Sequence, residues 1–446
     1  MQTADPQRFF ETDAAQELRE RRSAKSANKY GSPVVLKSKV LAVLADPTSP
    51  AHVFVAESAG SARRVNVLDE TDNDPKTTAY RGPAAPVTSL ALGGPGGKTL
   101  FAGSWDKTVW SFDRDTHQPG TRYGMAGGAG GGGHTDFVKA VVCGRLGTQD
   151  VLISGGADKK IIVWDVALGK RLHTLQDSGP ASKSGRQSML AVQDLAIDPV
   201  ATTRDEILLV SASSDPHIRR WRVRLDGWEQ VAEEEGDGQD KTATGRAKKT
   251  LLAHETTVYK VVFEDYNYSG GNNNDDGEEG EDVDLWTSSG DGTVKCLSRM
   301  HGFRHKNTVG SSSTYHHGGH VRAVAVTDAW VVTAGRDEDL QYWDRTGAAA
   351  ESSTNARYAS IAGHFDEVTD LVVLSDRRRL CSVSLDGTVR TWPLVKAEVD
   401  ALVELQKKDR EAATAGAIDN NDAEAPQDGL MTADEEAELA ALMEDN

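Results

Sequence analysis

The strongest constraint on this chain is a string of short strands that keeps returning. From Phe137 the sequence reads FVKAVVCG, then DVLISGGAD, then KKIIVWD. The same succession returns as VRAVAVTD, AWVVTAGRD and EDLQYWD, and again as VTDLVVLSD, RRLCSVSLD and GTVRTWP. Apolar and polar residues alternate with a period of two, and Val, Ile and Thr dominate, which predicts short antiparallel strands bounded by turns. Self-similarity overrides a domain count based on length, which for 446 residues would suggest two or three domains. Seven copies begin near Val40, Val87, Val138, Val192, Val258, Val321 and Val368. Each supplies three strands and a more variable fourth, such as Lys170–Leu175 or Arg357–Ala362. The last copy stops at Leu394 without its fourth strand. The stretch Pro33–Lys37 precedes the first copy and is expected to complete the seventh sheet, closing a ring and removing exposed sheet edges.

The copies resemble WD repeats. Gly133-His134, Gly319-His320 and Gly363-His364 match that family's glycine-histidine pair, and Trp164-Asp165 and Trp343-Asp344 match the dipeptide that names it. The resemblance covers roughly residues 33–394 and implies an all-β fold, a seven-bladed β-propeller closed by an N-terminal strand. It also implies a hydrogen-bonded set of four in a blade: His before the first strand, Ser or Thr on the second, Asp in the next turn and Trp on the third. Carried over, the sets are His134, Ser154, Asp158, Trp164; His320, Thr333, Asp337, Trp343; and His364, Ser382, Asp386, Trp392. Buried His, Asp and indole groups are tolerable only as such closed networks. Other blades depart from the pattern. Blade five has His254, Thr287 and Asp291 but Leu297 in place of Trp. Blade four has Ser211, Asp215 and Trp221 without a His, blade two keeps Asp106 with Phe112 for Trp, and blade one keeps little.

Charge is unevenly spread. The net −18 arises in residues 396–446 (15 acids, 4 bases), 264–284 (nine acids, no base) and 233–240 (five acids, no base), leaving +7 on the rest. Blocks of like charge resist packing, so these pieces read as loops and tails. Residues 1–32 form an extension, partly helical around Arg8–Arg22. Residues 395–415 carry Val395, Val399, Leu402, Val403 and Leu405 at helical spacing, which predicts an amphipathic helix packed back on the propeller. Residues 416–446 form an acidic tail. Its end, MTADEEAELAALMEDN, has a capping box at Thr432 and Glu435 and an apolar stripe of Leu439, Leu442 and Met443 suited to a groove on another protein.

No catalytic set emerges. The well-placed histidines belong to the structural sets, Tyr123–Gly133 lacks the Lys and Ser/Thr of a phosphate-binding loop, and HGFRH and HHGGH lack companion ligands for a metal. No cofactor is expected. Cys143, Cys296 and Cys381 lie far apart, as inert thiols of a reducing compartment do, and no apolar run is long enough to span a bilayer. Residues 1–29 have no apolar centre like that of a secretory signal, so a nuclear or cytoplasmic home is expected.

What remains is surface. The resemblance places exposed side chains after the first Val of each opening strand (Thr88, Lys139, Gln193, Tyr259, Arg322, Thr369) and before each turn Asp (Trp105, Ala157, Ser214, Gly290, Arg336, Leu385). Phe137 flanks them. Trp105, Phe137, Lys139, Tyr259, Arg322 and Arg336 stand out, because aromatic residues and Arg dominate interface energetics. The expected role is a non-enzymatic scaffold, a single propeller within a hetero-complex, binding proteins and in particular acidic or phosphorylated peptides. The alternative is a chromatin- or RNA-associated subunit. The +7 body favours it, and the lack of a concentrated Lys/Arg stripe weighs against it.

Overall fold

The computed structural model describes residues 13–68, 77–125, 132–177, 189–231, 251–264, 283–299, 302–305, 314–345 and 357–421. Its two compact units are Met1–Val399 and Asp400–Asn446. The first holds seven antiparallel sheets in a ring. We call their strands a to d from the channel outward. The seven a strands start at Val40, Val87, Val138, Val192, Val258, Val321 and Val368, and all seven valines are fully buried.

Closure occurs at blade seven. Val34–Val35 pairs antiparallel with strand c of that blade (Thr388–Pro393), Val34 opposite Val389 and Val35 opposite Thr388. Leu36 N–H extends the ladder to Gly387 O at 2.8 Å, and Val34 and Leu36 pack against the apolar cluster that contains Val383, Val389 and Cys381. The edge that strand c would expose is thereby filled.

Blades four and five have divided outer strands. In blade four, Trp228–Gln230 and Leu251–Leu252 both pair with His217–Val223. In blade five, Arg304–His305 and Thr314–His316 both pair with Thr293–Ser298. In sequence, residues 231–250 and 306–313 separate the two halves of these outer strands.

Each a strand also carries a register shift just after its first valine, between Val138 and Ala140 in blade three and at the equivalent place in the other six. A bulge leaves one residue out of the ladder and re-aims its side chain. Two residues after the valine, the side chain can instead tie one blade to the next. Ser89 accepts Val141 N–H at 2.9 Å, Asp194 accepts Val261 N–H at 3.0 Å, and Asp370 accepts Val43 N–H at 3.1 Å.

The helix Asp13–Ser26 is joined to blades six and seven by ion pairs: Lys25 to Glu338 and Asp339 (3.0 and 2.9 Å) and Arg22 to Asp366 (2.9 Å). The helix Lys396–Asn421 begins in the first unit. There Val399 is buried, and the Lys396 ammonium lies 5.0 Å from the Tyr358 ring centre. No helix among the described residues is long and apolar enough to cross a membrane.

Candidate functional site

The polar interior of each blade decides which side chains are free to act. In blade seven, Trp392 Nε1–H donates to Ser382 Oγ at 2.7 Å, Ser382 meets His364 Nε2 at 2.6 Å, and His364 Nδ1 meets Asp386 at 2.9 Å. The neutral tautomer that satisfies both neighbours carries its proton on Nδ1. Blade three repeats the chain through Trp164, Ser154, His134 and Asp158, each step at 2.9 Å. In blade five His254 joins Thr287 and Asp291 at 2.8 and 2.9 Å, and Leu297 stands where the indole would be.

Blade six requires a correction. The histidine of its set is His317, not His320. His317 Nδ1 lies 2.7 Å from Thr333 Oγ1 and Nε2 lies 2.9 Å from Asp337, while Trp343 donates to Thr333 at 2.9 Å. His320 is exposed, and among the described residues only its backbone carbonyl is engaged, by Arg336 N–H. The spacing explains why. His134, His254 and His364 each stand four residues before the first valine of strand a, and in blade six that position is His317. Gly319-His320 abuts Val321 and is one residue from the strand. His317→Ala should therefore cost about 2–3 kcal/mol by orphaning Thr333 and Asp337, whereas His320→Ala should stay within about 0.5 kcal/mol, both read by chemical denaturation.

The other blades replace the histidine with different chemistry. In blade four the fully buried Arg219 donates to Asp215 and Ser213 (3.1 and 3.2 Å) and pairs with Asp177 at 3.4 Å. In blade two Trp110, two residues before Phe112, donates to Asp106 at 2.9 Å. In blade one Glu57 gathers Ser38, Ser61 and Arg63 at 2.6–3.1 Å. Sequence reading missed all three. Arg219 and Trp110 stand four residues after the turn Asp, an offset visible in the sequence, and nothing comparable marks Glu57.

These groups are committed. Burial lowers the His254 and His364 pKa values despite their carboxylate partners, and burial raises all three cysteine thiols. Among the described residues, no three His, Cys, Asp or Glu side chains group so as to hold a metal.

The residues that the bulges release do converge. Leu41, Thr88, Lys139, Gln193, Tyr259, Arg322 and Thr369, one from each blade, line a central cavity of about 590 Å³. Trp105 and Leu385 line it as well. Trp105 and Phe137 are 40% and 38% exposed, and their rings stack at 4.8 Å and 15°. Across the mouth Arg322 lies 4.4 Å over the Tyr259 ring and pairs with Glu367 at 2.8 Å. Lys139 donates to Gln193 at 3.0 Å, and burial together with the charge of Arg322 lowers its pKa. Deeper in the channel, Lys260 bonds Asp370 at 3.0 Å. Burial opposes its charge, but Asp370 and Asp194 outweigh that and raise its pKa.

Arg336 is exposed in its turn but does not line this cavity. Leu439, Leu442 and Met443 lie outside the described residues, as do Phe9 and Phe10.

Comparison with known proteins agrees with this geometry. The model described as "WD domain, G-beta repeat" matches residues 74–113 and 356–393, and that of the "tRNA methyltransferase TRM82 WD40 domain" matches residues 132–255. An uncharacterized WD repeat-containing protein of Schizosaccharomyces pombe is 27% identical over the full length of both chains. The crystal structure of the WD40 β-propeller domain of Doa1 superposes with a TM-score of 0.54 at 17% identity, covering 81% of this chain and 95% of that one, a likeness of fold. Seven sheets, a closing N-terminal strand and the matching repeat model together make this chain a member of the WD40-repeat β-propeller family.

Proposed function

We propose that the chain is a non-catalytic propeller subunit of a tRNA methyltransferase, holding the catalytic subunit rather than performing chemistry. One observation carries the reading: the TRM82-type match runs from Gly132 to Glu255, through all of blades three and four to the loop before blade five. That span includes Arg219 and the divided outer strand, where blade four departs from the histidine pattern. The committed polar networks support it, because using His134 or Asp158 as acid or base would dismantle a blade. WD40 propellers are commonly interaction scaffolds, and within that role the methyltransferase subunit is the partner named here.

Affinity purification of the full chain at native expression, followed by mass spectrometry, checks this reading. A methyltransferase subunit should co-purify in near-stoichiometric amount and survive high salt. Recovery of other partners without any methyltransferase would contradict it.

A further inference from the structure

Two lysines line the central cavity, Lys139 from blade three and Lys260 from blade five, and their surroundings are opposite. Lys260 Nζ lies 3.0 Å from the Asp370 carboxylate, and the charges of Asp370 and Asp194 hold it as an ammonium against its burial. Lys139 Nζ bonds no carboxylate among the described residues. It donates to the side-chain amide oxygen of Gln193 at 3.0 Å, a neutral partner. Glu367 is taken by Arg322 at 2.8 Å. Burial and the positive charge of Arg322 both favour the neutral amine of Lys139, and the charge of Asp136 opposes them with a smaller effect. A desolvated lysine beside a second cation has its lone pair free, and that makes the side chain a nucleophile. The register shift after Val138 aims Lys139 into the cavity. Trp105 lines the same space, and its ring stacks at 4.8 Å on Phe137, two residues before Lys139.

We propose that Lys139 is a covalent capture site for aromatic aldehydes, with the Trp105–Phe137 stack seating the ring of the captured molecule. The Nζ lone pair attacks the carbonyl carbon, and the C=O π pair moves to oxygen. One proton passes from nitrogen to that oxygen, giving a carbinolamine. Loss of the hydroxyl with the second nitrogen proton, as water, leaves the imine. The amine and the aldehyde supply every atom, and nothing is oxidised or reduced. Water is the only leaving group, so the step needs no catalytic group beyond the amine itself. Lys260 cannot act this way, because an ammonium has no lone pair to give. The stacked rings favour an aromatic aldehyde over an aliphatic one, since a flat ring gains by packing on another. The site lies within the ring and does not require the methyltransferase reading.

Treatment of the full chain with benzaldehyde and sodium cyanoborohydride tests it. The reductant converts each imine into a stable benzylamine, which peptide mass spectrometry locates. Near neutral pH, Lys139 should be labelled on the order of tenfold faster than any other lysine, Lys260 included. Its rate should level off at lower pH than that of the exposed Lys98. Gln193→Glu puts a carboxylate on Lys139 Nζ, so it should slow the labelling about tenfold and move the pH profile upward. Arg322→Gln should act in the same direction. Trp105→Ala should slow labelling by benzaldehyde and leave labelling by propanal unchanged. Melting temperatures confirm that each variant folds, and Phe137→Ala replaces Trp105→Ala should the latter not fold. Equal labelling of Lys139 and Lys98, a shared pH profile, or a Lys139 rate indifferent to both Gln193→Glu and Arg322→Gln would overturn the proposal. So would equal slowing of benzaldehyde and propanal when the stack is broken.

Discussion

Deletion of residues 1–37 is expected to lower stability by about 5 kcal/mol and the melting temperature by roughly 10 °C. The closing strand Val34–Val35 and Leu36 N–H complete the ladder of blade seven, and Gly31 O accepts Thr391 N–H at 2.8 Å. The larger loss falls on Arg390. Its guanidinium is buried and donates to Asn28 Oδ1 at 2.8 Å and Tyr30 O at 2.5 Å. Without these acceptors a buried charge is left under-satisfied, which alone costs about 3–5 kcal/mol. The bared edge of strand c should also promote aggregation. Deleting only residues 1–27 separates the contributions. That variant keeps the strand and Arg390's partners and loses the Arg22 and Lys25 ion pairs, so about 1 kcal/mol is expected. Equal losses in the two deletions, read by denaturant titration, would show that the helix and not the strand closes the ring.

Asp386→Ala is expected to cost about 3–4 kcal/mol. The carboxylate accepts His364 Nδ1–H (2.9 Å), Phe365 N–H (3.1 Å), Thr388 N–H and Thr388 Oγ1–H (both 2.7 Å). Alanine leaves all four without it, and His364 is fully buried. Asp386→Asn keeps an acceptor and should cost about half as much.

The same network makes stability pH-dependent. Burial holds His364 below its ordinary value, so the unfolded chain takes up a proton more readily than the folded one. The stability that neutral His364 confers is complete above about pH 6.5 and declines as pH falls through that unfolded value. His254 acts in the same direction. Burial would raise the Asp386 pKa, but its bonds from His364 and Thr388 outweigh this and hold it low, so its contribution is lost further down, below about pH 4. Wild type should therefore lose stability in two stages on acidification, and Asp386→Ala should lack the lower stage of that residue. An acid profile identical in the two proteins would contradict the network's role.

The blade starts are legible in sequence because a buried valine opens every inner strand, and β-branched residues at period two are hard to mistake for anything else. Pro33–Lys37 is legible by elimination, as a strand without a sheet. The bulge after each valine is not, since it is a shift of register between two strands and leaves no mark in either one alone. The exposed positions that follow from it could be named by resemblance, but their convergence could not. Trp105, Lys139, Tyr259 and Arg322 share one cavity, and Arg336 stands outside it. In blade six the glycine-histidine dipeptide points to His320 and the four-residue offset to His317, and the offset is what the hydrogen bonds require. Arg219 and Glu57 were missed because the demand is only for a partner to a buried polar group, and a guanidinium or a carboxylate meets it as well as an imidazole. The divided outer strands of blades four and five were hidden by the polar insertions, whose composition speaks only of loops.

If the ring is the proposed holder of a tRNA-methylating enzyme, methylation of tRNA in the cell depends on it. The most direct measurement is the profile of methylated nucleosides in tRNA purified from cells that lack the chain. Loss of a methylated nucleoside, restored by the wild-type chain, is the predicted result. A profile identical to that of unmodified cells would contradict it.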